Sequence, residues 1–263
     1  MILSTRGASA QTVRELVDSA VAARYQDLPT LLSLSSAAVT LAEEKRDDLP
    51  ADLVVAAWTQ YGNALRIAGR YPEAERALDR AAAQPAFDAP TRIELLEVKA
   101  CLHRNTGRFE SALRFLTTAI EAQRPIGRAH DETRTYNLLG MVYLDAGDRP
   151  QALRAFRTAL RLIGPNTPID LVVSTGHNMF ETLIAAGRFS AASAALVSLE
   201  PYYGRLTSAR LSAKAEWMRA RLCRGLRQLP AAELAYERAY AILSTEARAG
   251  ELADLVKEMT APA

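Results

Sequence analysis

One layout recurs five times along the chain at an almost constant interval. Each copy has a glycine, or in the last copy an arginine, five residues before an alanine, and these alanines are Ala74, Ala112, Ala152, Ala192 and Ala232. By subtraction of residue numbers, they are 38, 40, 40 and 40 residues apart. A fixed interval of this size indicates a repeat array, in which each unit is one supersecondary element that buries its apolar face against its neighbours.

The residues around each alanine predict a helical hairpin. The glycine falls where a helix should end in the left-handed conformation, and Pro72, Pro150 and Pro230 stand at first-turn positions of the next helix. Apolar residues recur at helical spacing on both sides of the turn, and Gly- and Pro-rich breakers separate the units, at 85–90, 124–127, 164–168 and 200–204. An irregular helical bundle rich in alanine would not produce four near-equal intervals. We therefore expect an all-α solenoid of about six stacked hairpins, with the alanine where two helices cross.

The two ends of the chain are less regular. Residues 1–10 are expected to be a flexible N-terminus, and residues 11–46 one more hairpin that turns at 25–29. Residues 248–259 are expected to form a capping helix, because a terminal repeat otherwise leaves its core open to water. The prediction is one solenoid domain over 11–263, with its clear repeats in 50–245.

Two repeats resemble the tetratricopeptide repeat family. Trp58-x-x-Tyr61-Gly62-x-x-Leu65 is followed by Gly69, Ala74, Leu78, Ala81 and Pro85, and Tyr136-x-x-Leu139-Gly140-x-x-Tyr143 is followed by Ala152, Phe156 and Ala159. The other repeats depart from the signature, with Ala100, Phe180 and Ala220 in place of the glycine of the first helix, and the interval exceeds the family's usual 34 residues. The chain is similar to the extended arrays of bacterial regulators and signalling proteins. The resemblance implies a right-handed superhelix that serves protein–protein interaction.

The resemblance also implies that the first helix of every hairpin lines a concave groove. Its polar stripe supplies the candidate partner-binding residues, which are Asn63, Arg66, Glu97, Arg104, Arg134, Asn137, Met141, His177, Asn178, Glu181, Trp217 and Arg221. Asparagine amides can bind an extended peptide backbone, and arginine can bind a carboxylate in two places. The alternative for the stripe is a solvated polar face, and the alternative for Trp217 is packing against the capping helix. Of the five positions of the family's chaperone-binding carboxylate clamp, only Asn63 and Arg134 match, so binding of that kind is not expected.

Composition limits the function classes. The chain has 263 residues, of which 32 are basic and 30 acidic, and 6% are aromatic. It therefore has neither the strong positive charge nor the number of aromatic stacking residues that favour nucleic-acid binding. The two cysteines lie far apart, no apolar stretch has the length of a membrane span, and the N-terminus does not resemble a signal peptide, so we expect a cytoplasmic protein. No catalytic or nucleotide-binding motif is present, and His177 with Glu181 offers too few ligands for a metal. Neither a cofactor nor enzymatic activity is expected.

The predicted function is a scaffold that binds a peptide or protein segment of mixed or polar character in the concave groove. The first alternative is a regulatory sensor that binds a small signalling peptide and changes its superhelical pitch at the junctions 164–168 and 201–204. A second is RNA binding by the arginines between Arg205 and Arg227, where few acidic residues intervene. A third is an enzyme that uses His177 and Glu181.

Overall fold

Each repeat turns through the same pair of backbone hydrogen bonds. In the first, the Gly69 N–H donates to the Arg66 carbonyl at 3.1 Å and the Arg70 N–H donates to the Leu65 carbonyl at 2.9 Å. The same pair recurs at Gly107, Gly147, Gly187 and Arg227. These five turn residues have φ angles of 75°, 72°, 84°, 67° and 59°. This is the glycine-type helix end that satisfies the last carbonyls of a helix, so the predicted turns are confirmed.

A small side chain lies where the two helices of a hairpin cross. All five repeat alanines are buried, with at most 3% of their surface exposed. On the opposing helix, a Cβ added to Gly62 would lie 2.7 Å from Leu78 Cδ2, and one added to Gly140 would lie 2.4 Å from Phe156 Cε1. No real side chain tolerates such distances without displacement. The repeat alanine and the opposing glycine therefore set how closely the two helices approach.

The computed structural model describes residues 2–24, 27–126, 129–203, 209–245 and 249–260. In these ranges the chain forms helices and turns and no strand, which confirms the all-α class. The described residues form thirteen α-helices and one short 3-10 turn, Arg46–Asp48. The helices are α1 Ile2–Ala23, α2 Leu28–Glu44, α3 Ala51–Ile67, α4 Tyr71–Ala82, α5 Ala89–Asn105, α6 Phe109–Gln123, α7 Ala129–Asp145, α8 Arg149–Arg161, α9 Ile169–Ala185, α10 Phe189–Tyr203, α11 Ala209–Gly225, α12 Leu229–Thr245 and α13 Ala249–Met259.

Unit 1, Met1–Gly127, contains the first three hairpins. Its inner helices α1, α3 and α5 pack side by side, and each outer helix, α2, α4 or α6, packs on the inner helix before it. The part of the turn at residues 25 and 26 lies outside the described residues, and Asp27 caps α2 by accepting the Thr30 N–H at 2.9 Å. Helix α1 begins at Ile2, within the segment 1–10, whose flexibility stays a prediction.

Unit 2, Arg128–Ala263, contains three more hairpins and the final helix. Inner helices α7, α9 and α11 pack in sequence, and α13 packs on α12. Its core includes the fully buried side chains of Phe156, Phe180, Met218, Leu243 and Leu255, the last of them from α13. The predicted six hairpins and capping helix are therefore present, although residue 248, where the cap was expected to begin, lies outside the described residues. The prediction of one domain over 11–263 stays a prediction.

Arg227 offers a test of the turn, because it holds the position that four glycines hold elsewhere. A left-handed conformation costs a residue with a Cβ about 1–2 kcal/mol, and glycine avoids this cost. Glycine gives back about 0.5–1 kcal/mol of the advantage, because its unfolded chain has more conformational freedom to lose on folding. We expect Arg227→Gly to raise the free energy of unfolding by about 0.5–1 kcal/mol in urea titration. Arg227→Ala, which keeps the Cβ, is the matched control and should give no gain. Equal effects of the two substitutions would contradict the conformational explanation.

Candidate partner-binding faces

A row of side-chain hydrogen bonds crosses the inner face of unit 1. Arg24 Nη2, just after α1, donates to Gln60 Oε1 on α3 at 2.8 Å, and Gln60 Nε2 donates to Glu94 Oε1 on α5 at 2.7 Å. Gln60 is buried, whereas Arg24 and Glu94 are half-buried. The glutamine amide therefore uses one end for each neighbouring hairpin and fixes polar groups from three hairpins relative to one another.

The predicted residues of unit 1 lie beside this row. Asn63 is 3% exposed, and its Oδ1 accepts hydrogen bonds from Arg66 Nε at 3.1 Å and Arg66 Nη2 at 2.9 Å. On α5, burial raises the pKa of the Cys101 thiol, while the charges of Arg66 and Arg104 oppose that rise and Glu97 adds to it. The charges of Arg66, Glu97 and Arg104 therefore all act on one thiol. Among the four residues that the sequence selected in this unit, Asn63 and Arg66 are in direct contact.

In unit 2, two predicted asparagines join neighbouring inner helices. Asn178 Nδ2 on α9 donates to Asn137 Oδ1 on α7 at 3.0 Å. Asn137 is buried and Asn178 is half-buried. Two further predicted residues of α7, Arg134 and Met141, are also half-buried. The asparagine pair therefore links α7 to α9, and three half-exposed side chains remain accessible on these two helices.

The last predicted residues contact the C-terminal helix. Arg221 on α11 pairs with Glu181 on α9, and Arg221 Nε lies 3.7 Å from Glu258 Oε1 on α13. Trp217 Nε1 donates to Glu258 Oε2 at 2.7 Å. Of the two interpretations left open for Trp217, the structure supports packing against the capping helix, because the indole is half-buried beside α13.

His177 lies inside its own repeat. It is 1% exposed, and its Nε2 lies 3.1 Å from the Tyr203 hydroxyl on α10. Burial, with a smaller contribution from Lys214, lowers the pKa of His177 to about 3, so the ring is neutral at physiological pH. His177 and Glu181 have different partners, Tyr203 and Arg221, so they do not form the acid–base pair that their spacing allowed. The role of His177 in partner binding stays a prediction, and its described contact is structural.

The arginines near the C-terminus have acidic or carbonyl partners. Arg219 pairs with Glu216 and lies 3.6 Å from Glu200, while Arg224 Nη1 donates to the Glu258 carbonyl at 2.8 Å. Arg205 and the side chain of Arg210 lie outside the described residues. Folding thus brings Glu200 close to Arg219, and Glu181 and Glu258 close to Arg221, so carboxylates from other helices neutralise part of the positive charge at these two positions.

The sequence missed Gln60 and Arg24, which order the inner face of unit 1. A usable signal existed for Gln60, because it precedes Asn63 by three residues and so lies on the same helical stripe. For Arg24 no periodic signal exists, because it follows the last turn of α1.

In the described part of the chain, no group of three or more His, Cys, Asp or Glu side chains lies close enough together to hold a metal ion. None of the helices described combines the length and apolar composition needed to cross a bilayer.

The comparison with protein families agrees with the repeat geometry. Residues 92–163, from α5 to the end of α8, match the family model described as tetratricopeptide repeat. The segment 92–163 is therefore a stretch of tetratricopeptide repeats. The match is to a repeat domain, and no catalytic family was identified. No curated protein matches the chain in a sequence search.

Solved structures share the fold of this chain at low identity. RapI in its apo form is 11% identical, with a TM-score of 0.72 over 94% of this chain and 70% of that one. A Rap protein complexed with competence and sporulation factor is 13% identical, with a TM-score of 0.67 over 95% and 70%. BtubC from P. vanneervenii is 14% identical, with a TM-score of 0.66 over 89% and 92%. At these identities the likeness shows the fold alone.

The buried histidine predicts a pH dependence of stability. Its folded-state pKa of about 3 lies below the ordinary 6.5, so only the unfolded chain gains a proton as the pH falls below 6.5. Stability is therefore lost as the pH falls from 6.5 towards 3. We expect the loss between pH 7 and 5 to be about 2 kcal/mol smaller in His177→Gln than in wild type, measured by urea unfolding.

His103→Gln is the matched control for this measurement, because His103 is only half-buried and has Glu75 at 3.9 Å. It should change the pH dependence less than His177→Gln does. Parallel pH profiles of wild type and His177→Gln would contradict the assignment of a buried neutral imidazole.

Proposed function

We propose that this chain is a non-enzymatic scaffold that binds a peptide or protein segment on the polar inner helices of each unit. Proteins built from tetratricopeptide repeats generally serve as interaction scaffolds, and the matched family supports that role here. The observation that carries the proposal is the set of hydrogen bonds between neighbouring inner helices, Gln60 with Glu94 and Asn178 with Asn137. These bonds hold polar groups in position before a partner arrives, which lowers the entropy lost on binding.

The predicted residues divide by exposure into two roles. Asn63, Glu97, Asn137 and His177 are buried, and we assign them to support of their neighbours. Seven half-buried residues are assigned to direct partner contact, and they are Arg66, Arg104, Arg134, Met141, Asn178, Glu181 and Arg221. Trp217 is assigned to packing against the final helix. The supporting role is concrete at Arg66, whose guanidinium is oriented by two hydrogen bonds to Asn63.

The asparagine pair of unit 2 retains hydrogen-bonding capacity. The described contact uses one N–H of Asn178 and one lone pair of Asn137. A primary amide offers two N–H donors and two acceptor lone pairs. Asn178 is half-exposed, so its remaining groups suit the N–H and carbonyl groups of an extended backbone, and such contacts require no particular partner side chain.

The charges on these faces favour a partner segment of mixed or polar character. In unit 1, Arg66 and Arg104 lie near Glu97, and in unit 2 Glu181 pairs with Arg221. A purely acidic tail would meet carboxylates on both faces. We also propose that the protein acts in the cytoplasm, where its two free thiols would remain reduced.

A second candidate is a sensor for a small signalling peptide. The specific observation that favours it is the fold shared with the Rap protein that was crystallised with competence and sporulation factor. The junction 164–168 is the proposed hinge. It is closed by hydrogen bonds from the Gly164 N–H to Thr167 Oγ1 at 2.9 Å and from the Thr167 N–H to the Gly164 carbonyl at 3.0 Å.

Small-angle scattering separates the two candidates. For a sensor, adding the host's pooled small peptides should change the radius of gyration, because the hinge changes the stacking of the hairpins in unit 2. A scaffold should keep one radius of gyration with and without the peptides. Thr167→Val, which removes the hydroxyl that accepts the Gly164 N–H, should alter a change that uses this hinge and leave one that arises elsewhere.

The scaffold proposal predicts selective loss of a host partner. We expect the variant with both Arg66→Glu and Arg104→Glu to capture at least about tenfold less partner than wild type in a pull-down, since the charge of two proposed guanidinium contacts is reversed. The matched control carries Arg76→Glu with Arg114→Glu, the same change at exposed residues of the outer helices α4 and α6.

The corresponding pair for unit 2 is Arg134→Glu and its control Arg157→Glu on α8, where Arg157 is exposed. All variants must first match the helical circular dichroism of wild type. Equal capture by inner-helix and outer-helix variants would overturn the assignment of the partner to the inner faces.

A further inference from the structure

One carboxylate of the final helix is held by side chains of two other helices. Glu258 Oε2 accepts hydrogen bonds from Trp217 Nε1 at 2.7 Å and from the Tyr236 hydroxyl at 3.3 Å, and its Oε1 lies 3.7 Å from Arg221 Nε. The Glu258 backbone carbonyl accepts from Arg224 Nη1 at 2.8 Å. We call Trp217, Arg221, Arg224 and Tyr236 the Glu258 site. An indole N–H, a phenol O–H and a guanidinium can all donate to one anion, so this site selects a carboxylate.

Helical spacing explains why the site forms. Trp217, Arg221 and Arg224 recur at intervals of four and three residues, so they share one stripe of α11. Tyr236 approaches from α12, where it is buried in the same apolar cluster as Leu243 and Leu255. Because Arg221 also pairs with Glu181 of α9, the Glu258 site is continuous with the inner face of unit 2.

The helix that occupies the Glu258 site is short, and few of its apolar side chains are buried. Helix α13 has eleven residues, and an isolated helix shorter than about 12–15 residues is marginal in water. Leu255 is fully buried and Leu252 is partly buried, but Val256 and Met259 are exposed. The Glu258 side chain is 35% exposed, so water and competing groups can reach its ion pair. The helical form of α13 therefore depends on its packing against α11 and α12, and a competing segment can take its place.

We infer that the Glu258 site is a docking site for an amphipathic helix of a partner, and that α13 is the intramolecular helix which this partner displaces. The partner helix has the pattern that α13 shows, two apolar residues three positions apart and a glutamate three positions further, as in Leu252, Leu255 and Glu258. This inference deepens the proposed function and rests on it only in placing a partner on the inner face of unit 2.

The test uses the full-length chain and a fluorescently labelled peptide with the sequence of residues 249–260. Glu258→Gln in the chain keeps the shape of the resident side chain and removes its charge, so the peptide should bind this variant about tenfold more tightly than wild type. Asp254→Asn is the matched control, because it removes one charge from an exposed position of the same helix. The control should bind the peptide as wild type does.

Two further measurements locate the bound peptide. A peptide that carries Glu258→Gln should lose its affinity for the Glu258→Gln chain, and a chain with both Glu258→Gln and Arg221→Gln should lose the tenfold gain. Hydrogen exchange should become faster in the chain's own residues 249–260 when the peptide binds, because α13 leaves its place. Circular dichroism must show that each variant keeps the helical content of wild type.

Equal peptide affinity for wild type, Glu258→Gln and Asp254→Asn would overturn the inference. So would unchanged exchange in α13, or binding that does not need the peptide's glutamate. These measurements use no natural partner. A failed pull-down would therefore count against the scaffold function alone, whereas a failed peptide competition would count against the Glu258 site alone.

Discussion

The close crossing of the two helices in each hairpin is the constraint on which the rest of the structure depends. An alanine on the outer helix, and in several hairpins a glycine on the inner helix, let the helices approach until Leu78 or Phe156 fills the space that a Cβ would take. This packing buries one side of each inner helix against its own hairpin. The polar residues on the other side then meet their counterparts on the next inner helix, as Gln60 meets Glu94 and Asn178 meets Asn137.

The order of the hairpins was predictable because its determinants are local. A left-handed turn needs a residue that tolerates positive φ, and the alanine five residues later is the smallest side chain that can lie at the crossing. Details fixed by tertiary contact were not predictable. The repeat with Phe180 at the expected glycine position uses Gly176 instead, where an added Cβ would lie 2.5 Å from Leu199 Cδ2. The close approach has moved by one helical turn, and Phe180 is fully buried.

The stripe of candidate residues was predictable as a set, but its division into exposed and buried members was not. Helical periodicity identifies the side of an inner helix that does not pack on its own outer helix. It does not say how much of that side the neighbouring inner helix covers. Asn63 and Arg66 are three residues apart on one stripe, yet only the arginine is half-exposed. His177 is covered by Tyr203, a residue 26 positions away at the end of α10, and no local pattern predicts that contact.

Internal pairing on the inner faces determines what a partner must offer. A polar group that already has one fixed hydrogen bond loses less hydration when a partner covers it than an isolated group does. It also accepts only those contacts that its existing bond leaves open. At Asn178 those are an N–H and a carbonyl, which suit a peptide backbone. At the Glu258 site Trp217, Tyr236 and Arg221 already face a carboxylate, so a partner gains only by matching or exceeding the resident glutamate. The inner face around Asn178 therefore accepts partners of many sequences, whereas the Glu258 site selects a partner with an acidic side chain.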